Sequence, residues 1–359
     1  MRTKITLFFG IFAVMALSNA IVPVLPSYAD GSALQGAIYS AYFLGAFIST
    51  LPAGVLSDRY GRVPIIRFGL AVTVASGLLL SVFTSPFPVL TARCLEGVGV
   101  GFFLAAALSY VNSGPDHERM SGYFMALLNA GLVIGLVLAG WLAVHIPVQA
   151  AGIVLFAGLA LIPAVTSFFM HELPVPAAKN NHTVLIQLIR EYRWLWYSSV
   201  ILVGVTGVVI SHYPKFSGAS ADVVGIWIAI MSIATIGAVL VASRFSLPPI
   251  PTIRWCAVLM VIGVLFSFYS PLGFVVIGAL AGVVMIAQIA FLAAVKDHQG
   301  VAMGLFTTTS YLGMTALPLI AGLIADSTSF FCAFLVTAFF SGTVALSIGW
   351  CTCEGKTVP

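Results

Sequence analysis

Residues 122–140 read GYFMALLNAGLVIGLVLAG, and residues 304–322 read GLFTTTSYLGMTALPLIAG. Glycines recur nine apart in both, at Gly122, Gly131 and Gly140 and again at Gly304, Gly313 and Gly322, at a constant offset of 182. Phe124 matches Phe306 and Ala139 matches Ala321 in the same register. Upstream, Asp116-His117-Glu118 corresponds to Asp297-His298-Gln299 with a one-residue slip. A second pair of stretches agrees: Ser85-Pro86 opens a run that reaches Gly97, and Ser270-Pro271 opens one that reaches Gly282 at the same distance. Chance could supply one such match in a chain with 34 glycines, but several at nearly one offset mark an internal repeat.

Composition says what is repeated. The chain has 359 residues, of which 60% are hydrophobic and 7% charged, with a mean hydropathy of +1.11. Soluble domains carry roughly a quarter charged residues, so this is an integral membrane protein. Lipid satisfies no backbone polar group, which leaves helices or closed barrels, and the long runs lack the alternation of barrel strands. A spanning helix needs about 20 apolar residues. Twelve runs qualify, centred near residues 16, 43, 74, 100, 132, 160, 203, 232, 261, 283, 313 and 340. The expected fold is an all-α membrane protein of twelve transmembrane helices in two six-helix bundles related by a parallel pseudo-repeat. The expected units are residues 1–170, a cytoplasmic linker with an interfacial helix at 171–193, and residues 194–359.

Charge gives the orientation. With a cytoplasmic N-terminus, thirteen of the fifteen basic residues fall inside: Arg2, Lys4, Arg59, Arg62, Arg67, Arg119, Lys179, Arg190, Arg193, Arg244, Arg254, Lys296 and Lys356. Lys215 alone falls outside, and Arg93 is within a span. This is the positive-inside pattern, and it accounts for most of the net charge of +4 without an acidic partner or nucleic acid. A multi-pass protein of the cell (inner) membrane with both termini cytoplasmic is expected. The first twenty residues imitate a secretory signal ending at Ser18-Asn19-Ala20, but the apolar run continues through Leu25 and is read as span 1. In the linker, Val184, Leu185, Leu188, Ile189 and Tyr192 share one helical face, as in a helix lying on a membrane. Asn181-His182-Thr183 fits a glycosylation sequon that this topology leaves unused. The five cysteines have no C-x-x-C spacing and read as free thiols; a metal or redox pair at Cys351 and Cys353 is the alternative.

Six spans per half place the second half in the membrane with the orientation of the first. Two such halves rocking about a site near the midplane make an alternating-access transporter. Between spans 2 and 3 stands GVLSDRYGR, residues 54–62. Gly54 and Gly61 permit close helix approach and a tight turn. The loop is expected to face the cytoplasmic ends of spans 5 and 11, and an aspartate such as Asp58 docked on the free N–H groups at the start of span 11 would gain roughly 0.3 to 1 kcal/mol.

This stretch resembles the loop between spans 2 and 3 of the major facilitator superfamily, G-x-L-x-D-[RK]-x-G-[RK]-[RK]. Gly54, Leu56, Asp58, Arg59, Gly61 and Arg62 match, whereas Val63 stands at a position usually basic. The resemblance extends over the whole chain through span number, linker and repeat. It implies that Asp58 latches the two halves when the cytoplasmic side is closed, with Arg59 and Arg62 as its partners; the alternative is that the arginines only anchor the loop.

Span 4, FPVLTARCLEGVGVGFFLAAALSYV, holds Arg93 and Glu96, the only charges deep in any span. At i, i+3 they share a face and can pair. An ion near the bilayer centre costs about 2.5 to 3.5 kcal/mol on insertion scales, so the pair is expected to face a wet cavity rather than lipid. Glu96 lies about 14 Å below the outer surface, near the midplane. Arg93-x-x-x-Gly97-x-Gly99 resembles the span-4 motif of the drug/proton antiporters, whose arginine is linked to proton coupling. Three roles fit: proton exchange at Glu96 tuned by Arg93, anion binding by Arg93, or a static bridge. Span 5 resembles the antiporter signature G-x8-G-x3-G-P-x2-G-G at Gly122, Gly131, Gly135 and Gly140, with Leu136 in place of the proline and Ala139 of a glycine. Span 11 has Pro318 at the repeat-equivalent position, followed by Ala321 and Gly322. Close helix packing is the simpler reading of these small residues.

Asn19, Tyr42, Asn129, Thr309 and Tyr311 are the candidates for contacts to a substrate, with helix-to-helix hydrogen bonding as the alternative. No carboxylate in span 1 points to a cationic substrate. The reading is a secondary transporter, most like proton-coupled exporters of small organic or apolar compounds. A proton symporter importing a small organic solute is the alternative, and a non-transporting sensor or scaffold is the alternative of another class. Partners are the small-molecule substrate, protons and the lipid bilayer; the chain is expected to be monomeric. No cofactor or metal is called for, and no nucleophile-base set at membrane depth suggests an enzyme.

Overall fold

The computed structural model describes residue 3 and residues 5–113, 117–172, 182–293 and 299–350. Most of the linker, Asn181 of the sequon, Cys351, Cys353 and the Asp116 and Asp297 positions of the repeat lie outside them. The helices are α1 (Gly10–Ala20), α2 (Ser32–Tyr60), α3 (Arg62–Val82), α4 (Pro86–Asn112), α5 (His117–His145), α6 (Ala151–Thr166), α7 (His182–Glu191), α8 (Arg193–Ser217), α9 (Ala221–Ala242), α10 (Pro249–Tyr269), α11 (Gly273–Ala293), α12 (Gln299–Ser327) and α13 (Phe330–Ser347). Among the described residues, twelve helical segments are long and apolar enough to cross a membrane, from Thr6–Ser27 to Phe330–Trp350. Spans 1–6 correspond to α1–α6 and spans 7–12 to α8–α13. Large apolar side chains such as Ile48, Leu240, Ile262 and Phe339 are more than half exposed, which suits a lipid solvent. In α7, Leu188 and Tyr192 beyond its end are buried while Ile189 is exposed, so the expected apolar face packs only in part.

Glycine determines how the helices meet. Gly97 of α4 lies against the Tyr42 carbonyl and the Ala46 amide of α2. Its repeat mate Gly282 of α11 lies against the Thr235 carbonyl and Val239 amide of α9. Gly131 of α5 touches the backbone at Phe12 of the span-1 helix, and its mate Gly313 of α12 touches the backbone at Val200 of α8. Gly135 fits against Ala16 of α1. A Cβ at these positions would overlap a backbone, so the duplicated glycines hold equivalent helix pairs in each half. Between α2 and α3 only Gly61 intervenes, with φ +97°, a conformation that side-chain-bearing residues rarely adopt.

Candidate functional site: the seam between the halves and a buried ion pair

The two halves meet along α2 with α12 and along α5 with α9. Helices α2 and α12 run antiparallel, and their separation changes along their length. At one end, Gly36 abuts the Pro318 carbonyl and Gly322 abuts the Ser32 carbonyl. Midway, the rings of Phe43 and Tyr311 lie 6.1 Å apart. Further on, among the described residues, a Cβ at Gly304 would meet only the Leu51 side chain, at 3.7 Å, and one at Gly54 would meet nothing within 4 Å. The second seam repeats this pattern: Gly140 abuts the Ala221 carbonyl, Gly225 abuts the Leu136 carbonyl, and Gly122 meets nothing among the described residues. Leu136 and Pro318, equivalent in the repeat, thus present their carbonyls to a glycine of the other half. The halves are closed at the end that carries Ser32 and Ala221 and parted at the end that carries Gly54 and Gly122.

The GVLSDRYGR stretch lies at the parted end. Asp58 and Arg59 are exposed, and among the described residues Asp58 has no hydrogen bond or ion pair. Its neighbours instead bind their own half. Glu172 Oε2 accepts from the Val63 amide at 2.9 Å. Arg67 donates to the carbonyls of Ser167, Phe168 and Met170. Arg62 is 4% exposed, and its Nε and Nη1 have no hydrogen-bond partner. Arg62 therefore does not pair with Asp58 in this arrangement.

Arg93 and Glu96 project from α4 into the first half. Nη1 of Arg93 lies 2.5 Å from Glu96 Oε2 and donates to the Ser18 carbonyl at 3.2 Å. The guanidinium lies 4.6 Å from the centre of the Tyr42 ring, a cation–π distance. The expected wet cavity is not there: the side chains are 1% and 0% exposed, sealed between α1, α2 and α4. The sealing is incomplete in hydrogen bonds, because Arg93 Nε and Glu96 Oε1 have no partner.

A family model described as Major Facilitator Superfamily matches residues 7–316. The chain belongs to the major facilitator superfamily. Among similar members, the quinolone resistance protein NorA of Staphylococcus aureus (strain MSSA476) is 24% identical over 351 residues, 89% of each chain. Multidrug resistance protein 2 of Bacillus subtilis (strain 168) is 24% identical over 361 residues, 90% of this chain and 88% of that one. Among solved superfamily structures, the nucleoside transporter NupG aligns with a TM-score of 0.76 at 14% identity, covering 99% of this chain and 100% of that one. A bacterial homologue of the human lysosomal transporter Spinster, in an inward-facing and occupied conformation, aligns with a TM-score of 0.77 at 12% identity, covering 98% and 95%. These likenesses at low identity carry the fold.

On this superfamily fold the substrate candidates separate. Tyr42 and Tyr311 come near Phe43, which meets both rings between the halves. Asn19 instead donates to the Leu132 carbonyl at 3.2 Å, tying α1 to α5. Asn129 and Thr309 hydrogen-bond carbonyls of their own helices, Met125 at 2.8 Å and Leu305 at 2.9 Å. Phe43 and Tyr39 join the aromatic cluster, although a sequence gives no reason to prefer them over any apolar span residue.

Proposed function

We propose that this superfamily member is a secondary active transporter working by alternating access, and that it exports small organic or apolar compounds in exchange for protons. The observation that carries the reading is the continuity from the space between the halves to the buried pair: Tyr311, Phe43, Tyr42 and then Arg93 with Glu96. Glu96 Oε1 is a free acceptor beside a bound guanidinium, the arrangement of a carboxylate that takes a proton and thereby loosens its partner. Arg93 released from Glu96 would alter its hold on Tyr42, which links protonation to the packing of α2. The similarity to two drug-resistance proteins supports export, and the aromatic lining supports uncharged, largely apolar cargo.

In this reading the basic end faces the cytoplasm of the cell in which the protein spans the membrane, with both termini there, and the arrangement is inward-open. Asp58 is then a released latch, ready to cap the start of α12 when that side closes. The units 1–170 and 194–359 are the two moving bodies, acting within a monomer.

Reconstituted protein in liposomes tests this directly. A proton gradient, acidic on the side opposite the basic end, should drive accumulation of an uncharged aromatic dye, and dye movement should carry protons the other way. Proton and dye moving together would mean symport. Flux of neither across a broad panel of small organic compounds would favour a sensor or scaffold.

A further inference from the structure

At the closed end, α2 begins without a cap of its own. Its N-cap position is Gly31, which has no side chain to accept from the free amides of the first turn. Those amides are taken by the other half: Asp326 Oδ1 accepts from the Ser32 amide at 2.8 Å and Oδ2 from the Ala33 amide at 2.8 Å. Any side chain at position 31 would crowd this carboxylate, since a Cβ there would lie 2.9 Å from Oδ2. Lys215 of α8 donates to the Asp30 carbonyl next to it. Buried His212 fills the seam behind, its Nε2 3.3 Å from a Cβ placed at Gly36 and 3.0 Å from one at Gly322. Lys215, the one lysine or arginine among the described residues at this end, thus bridges the halves.

From this geometry we infer that Asp326 is the positioning residue that holds the closed end shut, and that α2 and α12 carry two opposed latches of one design. Both helices have 29 residues. Asp58 lies two residues before the end of α2, and Asp326 lies one residue before the end of α12. Because the helices are antiparallel, each aspartate stands at the end of its helix that faces the start of its partner, and Asp326 reaches that start. Asp326 is engaged here and Asp58 is free, and the V-shaped gap between the helices lets only one latch be engaged at a time. Engagement is through charge-assisted hydrogen bonds and the dipole of the capped helix, both sensitive to the loss of one carboxylate. The other seam is built differently: Val144 and His145 occupy the end of α5 where Asp326 stands in α12, and the carboxylate there is Asp222 in the first turn of α9, which interacts electrostatically with His145 rather than capping the partner helix.

This inference rests on the alternating-access reading. Its test is pulsed EPR on full-length protein in liposomes, with spin labels on cysteines introduced across each end in a cysteine-free background. Ile146→Cys with Thr328→Cys reports the closed end, and Tyr60→Cys with Met303→Cys reports the parted end; all four positions are exposed. Asp326→Ala should lengthen the first distance and shorten the second, changing the ratio of the two populations roughly five- to thirty-fold. Asp326→Asn, which keeps one acceptor oxygen, should give a smaller change in the same direction. Asp58→Ala should move both distances the opposite way in conditions that populate the second state, and the double variant should return towards the parent. If Asp58→Ala shifts the populations and Asp326→Ala does not, the inference fails and the alternating-access reading stands. If labelled parent protein shows a single state at both ends under every gradient and ligand tried, the reading itself fails.

Discussion

Arg93 Nη1 lies 2.5 Å from Glu96 Oε2, one helical turn along α4, and neither side chain reaches solvent. A buried pair of this kind is costly to break and much less costly to replace. Glu96→Ala or Arg93→Ala alone leaves one unpaired charge and should destabilise the protein by about 3 to 5 kcal/mol. Replacing both with leucine or methionine should restore most of that loss, measured as thermal unfolding in detergent. Single variants as stable as the parent would mean that water or another group already satisfies the pair.

Glu96→Gln keeps the shape and one acceptor but cannot exchange a proton. Substrate flux driven by a pH gradient should fall to the level seen without a gradient, while exchange of labelled for unlabelled substrate continues. Unchanged gradient-driven flux in this variant rules out Glu96 as the coupling group.

Tyr42 joins the aromatic cluster at Phe43 to the ion pair, with its ring 4.9 Å from that of Phe43 and 4.6 Å from the Arg93 guanidinium. Tyr42→Phe keeps the ring face and should retain coupling; Tyr42→Leu removes a cation–π contact of about 0.5 to 2 kcal/mol and should loosen it. The check is the number of protons moved per substrate molecule, which a purely structural ring would leave alone.

The sequence and the structure agree best where lipid dictates the answer. A span must be apolar along its length and helical, so twelve runs were legible, and close packing without a hydrophobic drive demands glycine, so the duplicated positions 131 and 313 were legible too. Which end is closed was not. That equilibrium depends on a few contacts, each worth a small part of the total, and both states use the same residues. Asp326 is inconspicuous in the sequence because an acidic residue at a helix end resembles an ordinary solvated one; its amide partners lie 294 and 293 residues away. Lys215 reads as a lone exception to the charge bias and proves to bridge the halves. Asn19 reads equally as a ligand or as a helix contact, and in this arrangement its side-chain amide donates to the Leu132 carbonyl.

The glycines of GVLSDRYGR and span 5 give the most discriminating experiment, because they are empty-sided here. Among the described residues, a Cβ at Gly54 or Gly122 would meet nothing within 4 Å, whereas one at Gly36 would overlap the Pro318 carbonyl. Gly54→Ala and Gly122→Ala should therefore leave unfolding temperature unchanged or slightly raised, since alanine favours a helix over glycine by up to about 1 kcal/mol. If the parted end must close until α2 meets α12 as tightly as at the other end, the added methyl groups obstruct that closure. Turnover should drop several-fold in a well-folded protein, and bulkier Gly54→Val should lower it further. Gly36→Ala should act oppositely, weakening the closed end and lowering thermal stability. Equal turnover for Gly54→Val and the parent would show that the basic end never closes to backbone contact at this position, and the latch would then have to act across a wider gap than a hydrogen bond spans.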